Sequence, residues 1–82
     1  MKNKLLNALE LDKNGDLHGA HNVVKDMGNK VAYWIHGYLH RKELDLDKAS
    51  YWYYRAKRPI PKTSFEKEWK EIYDYIQQNY IS

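Results

Sequence analysis

Four histidines fall in two pairs, and they offer the most chemistry in this 82-residue chain. His36 and His40 stand four apart, so on a helix both imidazoles leave one face about a turn apart. Glu43 follows three positions later, nearly in line, and His18 and His21 form a similar pair upstream. Imidazoles at this spacing beside a carboxylate are the donors of a zinc, nickel or iron site. The competing role is packing, in which each ring fills a half-polar position and bonds its N–H to Asp, Tyr or backbone. His-x-x-x-His without a paired Glu base or further ligands is a weak metal signal, so packing is the leading expectation. A metal set of His18, His21, His36, His40 and Glu43 is the alternative. No cofactor is expected.

Other motifs carry less. Asp12-Lys13-Asn14-Gly15-Asp16 starts like a calcium loop, but Leu17 stands where that loop needs Gly and Val23 where it needs a bidentate Glu. A polar turn between helices is the better reading. Lys48, Arg55, Lys57, Arg58 and Lys62 run among Tyr51, Trp52, Tyr53 and Tyr54, a mixture that can hold phosphates and stack bases. Trp52 and Tyr53 nevertheless share a helical face with Ala49 and Ala56, and 14 basic residues against 11 acidic leave a net charge of only +3. Nucleic acid is therefore not the expected partner. For catalysis there is no Gly-rich phosphate loop and no nucleophile motif, and Thr63 and Ser64 have a capping role to fill. The chain is expected not to be an enzyme.

The elements that must position these side chains are helices. Apolar residues make up 43% and charged residues 30%, a globular balance, with eight Tyr and three Trp against one Phe. The absence of cysteine excludes disulfides and thiolate metal sites. No apolar run approaches the ~18 residues of a membrane span and no signal-peptide core follows Met1, so no membrane partner and a cytoplasmic location are expected. Gly15, Gly28 and the Pro59–Pro61 pair divide the chain into helix-length pieces whose apolar residues recur with a 3.6-residue period. Residues 1–13 form the first helix, with Leu5, Leu6, Ala8 and Leu9 inward. Asp16 caps the second, which runs to about Asp26 and ends on a left-handed Gly28. The third, about 29–43, is apolar nearly all round and so must be sandwiched between neighbours. Asp45 or Asp47 opens the fourth, which ends near Lys57. Thr63-Ser64-Phe65-Glu66 reads as a capping box for the last helix, whose inward face carries Phe65, Trp69, Ile72, Tyr73, Ile76 and Tyr80. Gly19 and Gly37, inside helices, mark close packing.

Asp16-Leu17-His18-Gly19-Ala20 recurs as Asp45-Leu46-Asp47-Lys48-Ala49, 29 residues on. Tyr33, Gly37, Asp45, Ala49, Tyr53, Ala56 and Pro61 then follow the aromatic, Gly, Asp, Ala, aromatic, Ala, Pro order of a tetratricopeptide-type repeat. Residues 32–61 resemble that family most fully, while residues 4–32 keep Ala8, Gly15, Asp16 and Ala20. His36 and His40 stand where the family has Leu and an aromatic, and Leu44 where it has a turn Gly. The string from Trp34 to Ala56 is also similar to one in short bacterial proteins of unassigned function. The resemblance implies an all-α fold of about five helices: antiparallel hairpins at about 2–27 and 29–57, closed by a capping helix at about 64–79. The leading functional expectation rests on the aromatics, which combine apolar area with a polar handle: a module that binds another protein or peptide, or a second copy of itself. Its contact residues would be Tyr33, His36 and His40, joined by Tyr51 and Tyr54, which cannot share a face with Trp52 and Tyr53.

Overall fold

The computed structural model describes residues 2–80. It contains five helices in the order α1 (Lys2–Lys13), α2 (Leu17–Val24), α3 (Lys30–Lys42), α4 (Leu46–Ala56) and α5 (Phe65–Asn79), and no strand among the described residues. None of these helices is long and apolar enough to cross a membrane.

Side-chain caps set most of the boundaries. Asp16, Asn29, Asp45 and Ser64 each accept a hydrogen bond from the backbone N–H three residues later, satisfying donors that a helix start leaves orphaned. Ser64 rather than Thr63 therefore caps α5, and no capping box forms; the Thr63 hydroxyl is buried without a hydrogen-bond partner. The second helix also ends earlier than its pattern suggests. It closes at Val24, with Lys25 still right-handed, and Gly28 does not adopt positive φ. Gly19 has a local role: a Cβ there would lie 2.3 Å from the capping carboxylate of Asp16.

Central to the packing is α3, which contacts α1, α2, α4 and α5. Nine of its residues are buried, among them Trp34, Ile35, Tyr38 and Leu39. The closest approach is to α4. A Cβ on Gly37 would sit 3.0 Å from the Tyr53 ring, so the missing side chain makes room for that ring, as close packing at Gly37 requires. The last helix lies across α1 and α3, where Ile72 and Ile76 are buried and the Trp69 indole N–H donates to the Leu9 carbonyl at 3.0 Å. Phe65, expected inward, keeps about a third of its surface exposed and lies under the Arg41 guanidinium.

Enclosing α3 creates a problem for its polar atoms, and two buried carboxylates solve most of it. Glu68 of α5 accepts from the Trp34 indole N–H at 3.1 Å, the Arg41 guanidinium at 2.9 Å and the Tyr53 hydroxyl. Asp12 of α1 accepts from the Tyr38 hydroxyl at 2.7 Å and the Lys42 ammonium at 2.8 Å. Burial, reinforced by these bonds to carboxylates, raises the pKa of both phenols. Asp12 is thereby committed to the core and Asp16 to its cap, so the calcium-like segment is a structural turn.

Glu68 ties three helices together, and deleting its carboxylate strands an Arg, an indole and a phenol at once. Glu68→Ala is expected to lose about 3–5 kcal/mol in urea unfolding, and Glu68→Gln about 1–3 kcal/mol. A loss below about 1 kcal/mol for the alanine variant would contradict the hub role.

Candidate metal centre

One side of α3 has no buried carboxylate to serve it. There His36 and His40, successive turns of the same helix, are both buried, and their rings stack at 4.9 Å between centroids. His21 arrives from α2 and meets both edge-on, its ring centroid 4.5 Å from His36 and 5.5 Å from His40. Opposite, the Trp52 indole of α4 stacks on His36 at 3.9 Å and 11°. The half-buried position of Trp52 is explained by this contact: the indole walls a histidine pocket and does not fill the apolar core.

One nitrogen from each of His21, His36 and His40 lies within 4.8 Å of the other two. A tetrahedral ion with bonds of ~2.0–2.1 Å places its donors ~3.4 Å apart, so occupation would draw the three rings inward. His21 has the freedom for that movement, being partly exposed on a helix of eight residues. Glu43 stands beside the trio, outside it. Its Oε1 lies 3.2 Å from His40 Nδ1 but off the line of a hydrogen bond.

The hydrogen bonds that a packing role demands are missing. Nδ1 of both His36 and His40 is buried with no hydrogen-bond partner. Such an atom costs roughly 1–3 kcal/mol and calls for an explanation. Electrostatics favour the neutral form of His36 and His21. Burial first, and then the neighbouring His21 and His40, lower the pKa of His36 to about 3. His21 is also lowered, by burial and by His40, with Lys25 adding to the effect and Glu43 opposing it. Neutral imidazoles are the form that ligates a metal.

The structure thus joins His21, His36 and His40 from the expected metal set, moves Glu43 to the flank, and leaves His18 exposed outside the cluster. As surface contacts His36 and His40 do not serve, since both are buried. Tyr33 is half-buried, packed on Trp52 and bonded through its hydroxyl to Arg55 at 3.2 Å. Tyr51 and Tyr54 remain outward, 54% and 81% exposed, so α5 does not cover them. The basic stretch is partly engaged: Arg58 lies 3.4 Å over Trp34, Arg55 lies over Tyr33 and Trp52, and Lys48 pairs with Asp45. An open groove of about 760 Å³ between α1, α3 and α5 is lined by Tyr38, Trp69 and Tyr73 and holds none of the histidines.

Asp12 and Glu68 escaped sequence reasoning, although a signal was present. Glu68 lies four before Ile72 and eight before Ile76, on the inward stripe of α5. Asp12 follows Leu5, Ala8 and Leu9 at the same kind of spacing. No family model, no curated protein and no solved structure matches the chain.

The depressed pKa of His36 sets the sign of a pH effect. Below the ordinary histidine value of 6.5 the unfolded chain takes up a proton that the folded His36 refuses down to about 3. The stabilisation is thus complete above 6.5 and is lost as pH falls from 6.5 toward 3. Metal-free protein should lose about 2 kcal/mol from this group between pH ~7 and ~5. His36→Phe, which keeps a ring on Trp52, should remove that part of the slope in urea titrations. An unchanged slope in the variant would refute the assignment.

Proposed function

We propose that this chain binds a divalent transition-metal ion of the zinc class through His21, His36 and His40. The observation that carries the reading is the pair of buried, partnerless Nδ1 atoms on His36 and His40, inside a cluster of three convergent donors. Elsewhere around α3, buried polar groups are hydrogen-bonded by carboxylates; here the nearest carboxylate, Glu43, lies beside His40 Nδ1 without bonding it. A bound cation would engage one nitrogen of each ring. Imidazole is a borderline donor suited to zinc, nickel, copper or iron and poorly suited to calcium or magnesium.

Glu43 acts from behind His40. If the carboxylate turned onto Nδ1 as the rings draw inward, it would hold the tautomer protonated there, leave Nε2 for the ion and raise its basicity. Trp52 supports His36 by stacking and excludes water from that side of the ring. No reaction is assigned: the reading is of a binding protein, in which the ion is held or carried.

The outward Tyr51 and Tyr54 favour a second reading, the tetratricopeptide-like module that engages a protein, a peptide or a second copy of the chain. Aromatics with a polar tip are common at such interfaces. Calorimetry separates the two. Chelator-stripped protein titrated with zinc should bind one ion per chain and gain melting temperature. Glu43→Gln should weaken binding by about 10–100-fold, and His21→Ala by more. No heat and no thermal shift with zinc, nickel or cobalt would dismiss the metal reading and leave the interaction module.

A further inference from the structure

Resting on the metal reading, we infer that the ion's remaining coordination position belongs to an exogenous small oxyanion, such as a carboxylate or phosphate, and not to a fourth protein side chain. The arrangement of the protein's own donors favours this choice. Among the described residues only His21, His36 and His40 converge. Glu43 is turned to the His40 Nδ1 edge, and His18 is exposed away from the cluster. Asp12 is held by Tyr38 and Lys42, and Glu68 by Trp34, Arg41 and Tyr53. The chain has no cysteine.

Charge then selects the class of ligand. Three neutral imidazoles leave both positive charges of the ion uncompensated, in contrast to a site that includes a thiolate or carboxylate. His21, the exposed member of the trio, marks the side from which such a ligand enters. With no other anion present the position falls to water, whose pKa the ion lowers toward neutrality.

Cobalt(II) reports this directly, because its visible bands respond to the identity and number of its ligands. The full chain is stripped, loaded with cobalt and titrated separately with acetate, inorganic phosphate and azide. The expected result is bands of a bound ion that shift and saturate with at least one oxyanion as well as with azide. Acetate and phosphate as separate arms identify which oxyanion is preferred. Glu43→Gln should bind cobalt more weakly yet keep the same anion-induced shift. Bound cobalt whose bands ignore every anion would overturn the inference while the metal site stands, since a protein donor would then close the shell. Loss of the anion response in Glu43→Gln would overturn it too, by showing that this carboxylate shapes the open position. No cobalt bands at all would remove the metal reading and this inference together.

Discussion

The third helix has little surface left for water. Four helices pack around it and bury nine of its residues, so each buried polar atom it carries must find a partner inside the protein. Trp34 and Arg41 find Glu68, and Tyr38 and Lys42 find Asp12. These two carboxylates satisfy donors on α3 and fasten α1, α4 and α5 to it. On the side facing α2 and α4, the same constraint meets aromatic and imidazole rings and no buried carboxylate, and Nδ1 of His36 and His40 is left without a hydrogen bond. Architecture and candidate site are thus two outcomes of one condition.

That contrast also decides which helix is free to respond to a ligand. The α1, α4 and α5 helices are bound to α3 by hydrogen bonds to charged groups, whereas α2 has eight residues and only Ala20 and Val24 buried. It brings His21 to the cluster without a direct hydrogen bond to α3. An ion shared by His21, His36 and His40 would supply the missing tie between α2 and the core, so metal affinity and the order of α2 become coupled. Similarly, Leu44 holds the turn into α4 in a left-handed conformation, at φ 61° with its side chain outside, a strain accepted because the α3–α4 hairpin is packed so closely behind it.

Much of the helical frame was legible because local chemistry sets it. An Asp-Leu pair before an apolar period announces α2 and α4, and Gly37 announces the approach of the Tyr53 ring. The i, i+4 pairing of His36 and His40 needs only the period of one helix. What could not be read depends on how helices cross. His21 joins the cluster and its neighbour His18 does not, since α2 meets α3 along one line of side chains. Glu68 sits in the charged run Glu66-Lys67-Glu68, and only its register with Ile72 and Ile76 distinguishes a core carboxylate from a solvated one. The choice between Thr63 and Ser64 as cap turned on a single residue of register, where adjacent hydroxyls make the pattern ambiguous.

The central claim is that three imidazoles from two helices act as one donor set while the fourth histidine stands apart. Imidazole nitrogen resonances of the metal-free chain, followed by NMR through a zinc titration near neutral pH, examine it at each ring. The expected result is that His21, His36 and His40 move together at one equivalent of zinc while His18 keeps its free-solution shifts. Movement confined to His18, or buried rings that stay unchanged as zinc is added, would contradict it.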